Sequence, residues 1–254
     1  MVLCCVSLPA HDKHTHTVIF LHGRGASARS FSEELLEEPD RRGATLQHIF
    51  PSVKWVFPDA DLRYCERFRE DAQQWFDIWS HDDPDMRRDM QLEGLQENVP
   101  KIIRLIQSEA LKVGGLRNVV LAGISQGSSI AIHALLNYPK TEDENADARL
   151  GAFVGVSSWM SLAADTIQDS RQLLSLGAAT PSDAVVRNTP VFLSHSTDDH
   201  VVPLAQGLRF RDMLKSYGID ITWKQYERGG HWIYAPAGIE DIVVFLKSQG
   251  LQCS

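Results

Sequence analysis

The 254-residue chain has little cysteine, no long apolar run and no basic block. Its four cysteines are Cys4, Cys5, Cys65 and Cys253, and no C-x-x-C spacing occurs among them. That excludes a zinc knuckle, and a chain this long can bury enough surface to fold without a disulfide framework. Sparse cysteine fits a reducing compartment, so a cytoplasmic setting is expected. No apolar stretch approaches the roughly 18 residues that span a bilayer. The opening MVLCCVSLPA is apolar but short and carries no positive charge. Residues 1–16 therefore read as a mobile or strand-like lead-in rather than a signal peptide. Adjacent Cys4 and Cys5 read as unmodified thiols; only lipid on both would anchor the chain stably, so at most peripheral membrane contact is expected. Lys plus Arg number 25 against 33 Asp plus Glu, a net charge of −8. An acidic chain grips a phosphate backbone poorly, so no nucleic-acid partner is expected.

What is present is ordinary globular material, 43% hydrophobic and 23% charged, which excludes wholesale disorder. Runs at Thr17–Gly23, Lys54–Ala60, Asn118–Ser125, Gly151–Ser158, Pro190–Thr197 and Ile221–Glu227 read as strands; most are near-continuously apolar, as in strands covered on both faces. Helical patterns lie between them. Leu92, Leu95, Val99, Ile102, Ile103 and Ile106 recur at helical spacing until Gly114-Gly115, with Pro100 implying a kink or a later start. Gln126–Asn137, Leu204–Tyr217 and Ile239–Ser248 are further helices. This alternation predicts an α/β chain with a mostly parallel sheet and helices on both faces. No long linker or internal repeat appears, so 1–254 reads as one domain. Two segments break the rhythm. Residues 61–90 are polar and studded with aromatics, as in a lid or substrate-groove loop. The acidic 140–149 segment reads as a solvated loop.

The sharpest motif is Gly123-Ile124-Ser125-Gln126-Gly127, a G-x-S-x-G turn between an apolar strand and a helix. That context presents a serine hydroxyl at a strand's C-terminal end, where the following helix N-terminus favours developing negative charge. A serine needs a base, and the base needs an orienting acid. Downstream lie His133, His195, His200 and His231. His231 is the candidate base because it follows a strand and the Gly229-Gly230 pair. Asp198 and Asp199 both leave a strand end; Asp199 is favoured because Val202-Pro203 after it turns the chain into the next helix. Asp198 is then a solvated or capping neighbour. Stabilising an oxyanion takes two N–H donors, for which Gln126 and Arg24 are the candidates. The Arg24 side chain reads as a solvated surface guanidinium, with recognition of an anionic substrate group as the other reading. His11, His14 and His16 alternate with polar residues and read as a solvated strand start, not a metal site.

In order along the chain stand His22-Gly23-Arg24-Gly25, Trp75-Phe76-Asp77-Ile78, the Gly123–Gly127 elbow, Gly155-Val156-Ser157-Ser158-Trp159, Asp199–Pro203 and Gly229–His231. Together these resemble the acyl-protein thioesterase and carboxylesterase family of the α/β-hydrolase fold, over about Thr17–Lys247. The resemblance implies a catalytic set of Ser125, Asp199 and His231, with oxyanion donors at Arg24 and Gln126. It implies hydrolysis of fatty-acyl esters and thioesters, S-acylated proteins and lysophospholipids among them, without metal or cofactor. Departures cluster around the groove: Ile124 replaces an aromatic residue, Ser128 a glycine, Arg24 a leucine, and Gly25-Ala26 a Gly-Asp pair. The 140–149 segment looks inserted. Trp75, Phe76, Trp159 and Trp232 are expected to wall the substrate site. A short-chain carboxylesterase and a hydrolase-fold protein that binds without turnover are the alternatives.

Overall fold

Most of the apolar runs need partners on both faces, and the architecture supplies them; Ile221–Tyr226 is the exception, an edge strand with no buried residue. In a computed structural model, residues 3–140, 145–177 and 180–252 are described; Cys253 and part of the acidic 140–149 segment lie outside them. The first half contains β1 (Cys5–Leu8), β2 (His16–Leu21), α1 (Ala28–Glu37), α2 (Leu46–Ile49), β3 (Val53–Pro58), β4 (Leu62–Cys65), β5 (Glu70–Gln73), α3 (Asp89–Lys112) and β6 (Val119–Ile124). Then come α4 (Gln126–Leu136), β7 (Ala152–Val156), α5 (Ile167–Leu174), α6 (Asp183–Asn188), β8 (Val191–Ser196), α7 (Leu204–Ser216), β9 (Ile221–Tyr226) and α8 (Ala237–Ser248).

Seven strands form one sheet in the order β1-β3-β2-β6-β7-β8-β9. Neighbours are parallel except β1 and β3, which run antiparallel with Cys5 opposite Pro58. The lead-in thus supplies an edge strand. Side chains alternate across each strand. Val18 and Phe20 of β2 join Phe31 and Leu35 of α1 and Ile239 and Ile242 of α8. Ile19 and Leu21 join Leu95, Val99 and Ile102 of α3 and Ile130 of α4. Helices therefore cover both faces, which is why the central strands carry no polar stripe. The C-terminal ends of β2, β6 and β8 lead into the His22–Gly25 turn, Ser125 and the Asp199 turn, along one sheet edge.

The 61–90 stretch is more ordered than a structureless lid. It opens with the β4–β5 hairpin, in which Leu62 pairs with Gln73. It continues as a ribbon whose Gln74, Trp75, Phe76 and Ile78 are buried. Helix α3 begins at Asp89 and runs through Pro100 without a later start. From α3, the buried Asn98 donates its Nδ2 to the Trp75 carbonyl at 2.8 Å. Replacing Asn98 with Ala leaves that buried acceptor without its partner, a cost of about 1–3 kcal/mol. Thermal unfolding of Asn98→Ala should show Tm lowered by roughly 3–8 °C; an unchanged Tm would mean the ribbon is held by other contacts.

Candidate active site

Ser125 sits at φ 54°, ψ −126°, a left-handed conformation at the junction of β6 and α4. Such a residue costs roughly 1–3 kcal/mol and persists only when its surroundings overdetermine it. Here they do. The Ser125 N–H donates to the Val156 carbonyl at 2.9 Å, and the Ser158 hydroxyl donates to the Ser125 carbonyl at 2.8 Å. The flanking glycines have a steric reason. A Cβ on Gly127 would lie 2.4 Å from the carbonyl oxygens of both Leu21 and His22. The elbow thus presses directly on the end of β2.

The candidate acid and base meet where β8 and β9 end. His231 Nδ1 lies 2.8 Å from Asp199 Oδ2. A carboxylate only accepts, so Nδ1 carries the proton and Nε2 is left as the basic nitrogen. Asp199 Oδ1 accepts from the N–H groups of Val201 and Val202, both at 2.9 Å. His195 Nε2 donates to the Val202 carbonyl at 2.9 Å and lies 3.4 Å from Asp199 Oδ2. Burial alone would raise the Asp199 carboxyl. The neighbouring His195 and His231 and the Val202 N–H overcome it and hold the group well below the usual carboxylate range. Asp198 is not merely solvated: its Oδ1 accepts from the Gly230 N–H at 2.8 Å and so tethers the loop that carries His231. The other downstream histidines go elsewhere, His133 to the buried Ser161 carbonyl and His200 to solvent.

The oxyanion candidates come from two turns. Gly23–Ala26 is a tight turn closed by Ala26 N–H to the Gly23 carbonyl, with Gly25 at φ 84°. A Cβ on Gly23 would meet Ser125 Cβ at 3.3 Å, so this turn lies against the nucleophile candidate. Buried His22 braces it: Nε2 accepts from the Ala60 N–H at 3.0 Å, which leaves Nδ1 to donate to the Gly23 carbonyl at 2.7 Å. Gln126 opens α4, where first-turn N–H groups have no partner within the helix. Its side chain has a separate task. Oε1 accepts from the Trp75 N–H at 2.9 Å and Nε2 donates to the Phe76 carbonyl at 2.7 Å. The 74–78 ribbon is thereby latched to the elbow.

Ser125 and His231 open onto one cavity of about 330 Å³. Phe31, Ile124, Val201 and Trp232 line its apolar part; Arg24, Glu34 and His81 add polar groups. The four aromatics expected to wall the site divide. Trp232 lines the cavity, edge-on to Phe31 at 5.7 Å, with Nε1 donating to Glu38. Trp75 and Phe76 are fully buried outside the lining, and Trp75 Nε1 donates to the His22 carbonyl. Trp159 is buried behind His81, ring centroids 5.6 Å apart. His81 comes from the 61–90 stretch and no motif signals it. Burial, then the charges of Arg24 and His231, push its imidazole down to about 4, so it is neutral near pH 7.

The sequence pattern of the phospholipase/carboxylesterase family matches residues 5–249. Acyl-protein thioesterase 1 of Yarrowia lipolytica is 31% identical, over 93% of this chain and 92% of that protein. Acyl-protein thioesterase 1 of Gibberella zeae is 30% identical, over 95% and 93% respectively. Among solved structures, acyl-protein thioesterase 2 of Zea mays superposes with a TM-score of 0.73 at 23% identity, covering 97% of this chain and 98% of that one. A Bacillus cereus carboxylesterase gives 0.66 at 14% identity, covering 97% and 94%. At these identities the structural likeness is one of fold, the α/β-hydrolase fold.

The elbow helix carries a pH-sensitive group. Burial pushes fully buried His133 from its ordinary 6.5 down to about 4, against the opposing bond to the Ser161 carbonyl. The unfolded chain takes up this proton near 6.5 and the folded chain only near 4. Stability from neutral His133 is thus complete above the higher value and lost as pH falls towards the lower. Denaturant unfolding at pH 7 and 4.5 should show His133→Gln, which keeps an N–H for Ser161, losing about 1–3 kcal/mol less than the parent. Equal losses would contradict the assignment.

Proposed function

The chain belongs to the phospholipase/carboxylesterase family, and from that premise we propose that it hydrolyses fatty-acyl thioesters and esters through an acyl-enzyme on Ser125. The observation that carries this reading is the 2.8 Å bond between His231 Nδ1 and Asp199, made where His231 shares a cavity with the strained Ser125. Ser125 Oγ attacks the acyl carbonyl carbon as its proton passes to His231 Nε2. The Arg24 and Gln126 N–H groups hold the oxyanion. The tetrahedral adduct collapses, the carbon–sulfur or carbon–oxygen bond breaks, and His231 returns the proton to the departing thiol or alcohol. Water then attacks the acyl-enzyme, giving its proton to His231; the acid leaves and Ser125 regains its proton. Asp199 keeps the imidazole in the right tautomer and stabilises its cation. These steps call on no metal or cofactor.

The fatty-acyl preference and S-acylated protein substrates are supported by the curated relatives, which are acyl-protein thioesterases. The apolar cavity walls, Phe31, Ile124 and Trp232, suit an alkyl chain. We place this activity in the cytoplasm and take 1–254 as one catalytic unit. No helix among the described residues is long and apolar enough to cross a membrane. The cavity's modest size, about 330 Å³, favours one second reading, a short-chain carboxylesterase.

Hydrolysis of p-nitrophenyl esters from two to sixteen carbons separates these. Activity rising towards long chains is the expected result; activity confined to the shortest esters selects the second reading. Ser125→Ala should abolish turnover at every length while leaving the thermal transition in place. Asp199→Asn should cost on the order of 10³–10⁴ in kcat, as loss of the tautomer-fixing acid does elsewhere. Asp198→Asn, whose amide oxygen still accepts from Gly230, should cost less than about tenfold. The reverse ranking would move the acid to Asp198.

A further inference from the structure

Arg24 departs from the expected solvated guanidinium. Its side chain is only 17% exposed and lines the same cavity as Ser125 and His231. The guanidinium is held from two sides. Nε donates to Gln74 Oε1 at 2.9 Å, and the Phe68 ring lies 5.3 Å away. Gln74 is itself fixed, fully buried with Nε2 donating to the carbonyls of Arg63 and Tyr64. Yet the buried Arg24 Nη2 has no hydrogen-bond partner among the described residues. Its nearest carboxylate, Glu70 Oε1, stands 4.0 Å away on a 63% exposed side chain, too far to accept. An oriented, largely desolvated cation with a free donor favours an anion, because charge-assisted bonds are about twice as strong as neutral ones. Neighbouring groups do not compete strongly. His81 is uncharged near pH 7, and Glu34, the carboxylate among the lining residues, is solvent-exposed.

The position relative to the chemistry follows from the backbone. The Arg24 N–H is the oxyanion candidate, so its guanidinium lies within one side-chain length of the reacting carbonyl. The cavity is also divided, with Phe31, Ile124, Val201 and Trp232 offering an apolar wall for the acyl chain. Resting on the reading of Ser125 as nucleophile, we propose that Arg24 is a specificity-determining residue. It selects esters and thioesters whose departing alcohol or thiol carries a carboxylate a few bonds from the scissile bond. Glu70, its carboxylate 4.0 Å from Nη2, partly screens that cation without bonding to it.

The test uses matched thioesters on the full chain. One pair is S-octanoyl-3-mercaptopropionate and its uncharged amide; a second is the N-acetylated, C-terminally amidated S-octanoyl Cys-Asp and Cys-Asn dipeptides, which separates a small thiol from an acidic residue beside an acylated cysteine. The wild type should prefer the carboxylate member of at least one pair by about tenfold in kcat/KM, and the preference should shrink with added salt. In Arg24→Leu the ratio within each pair should fall to about one, whatever happens to absolute rates. Glu70→Gln should raise the ratio while leaving the uncharged member within about twofold of wild type. Preference in one pair only supports the proposal and identifies the source of the carboxylate. Ratios near one in both pairs, or a preference surviving in Arg24→Leu, overturn it. So does faster cleavage of an ester that carries its carboxylate on the acyl side. If no probe is turned over, or turnover survives in Ser125→Ala, it is the nucleophile assignment that fails.

Discussion

Backbone-to-backbone contact between the elbow and the end of β2 is the constraint on which the site depends. Gly127 lies against two carbonyls of that strand end, and Gly23 lies against Ser125. The first approach excludes a side chain outright, and the second leaves a Cβ only a tight 3.3 Å contact. Because the elbow is pressed onto the His22–Gly25 turn, the hydroxyl and the two oxyanion candidates are set by one rigid junction rather than by separate loops. The strain at Ser125 is held by partners from other elements, the Val156 carbonyl and the Ser158 hydroxyl. The Gln126 side chain extends the junction to Trp75 and Phe76, so the ribbon over the sheet edge is built from the same contact.

The second organising element is the Asp199 carboxylate. Three donors converge on it, two N–H groups of its own turn and His231, with His195 Nε2 3.4 Å away. A buried carboxylate with this many donors stays ionised, which is what an imidazole needs if it is to become a cation during turnover. Asp198 acts one step removed, through the Gly230 N–H. Adjacent carboxylates thus hold His231 by its ring and by the backbone of the residue before it.

The fold was legible in the sequence where one local rule governed. Runs such as Thr17–Gly23 and Asn118–Ser125 read as strands because burial on both faces removes any polar stripe. Gly123-x-Ser125-x-Gly127 read as an elbow because its steric demand is local. The order of Ser125, Asp199 and His231 was readable from strand ends, and the acid and base are in hydrogen-bond contact. What escaped depends on distant partners. Helix α1 has only a weak sequence signal, its Ser27 cap and the buried Phe31 and Leu35. Trp75 and Phe76 looked like groove aromatics because the latch from Gln126, about 50 positions away, leaves no local trace. Arg24 looked solvated because its confinement by Gln74 and Phe68 arises only in the folded chain. His195 read as a strand residue, and only the return of the Asp199 turn beneath it creates its contact with the acid.

The central claim is that His231 activates Ser125 for covalent chemistry. The direct measurement is labelling with a fluorophosphonate, read by intact mass and peptide mapping, in wild type and His231→Ala. The expected result is one adduct per chain on Ser125, formed at least about 10³-fold more slowly in His231→Ala, because an unactivated serine is a weak nucleophile. An adduct on another residue, or a labelling rate indifferent to His231, would contradict the account.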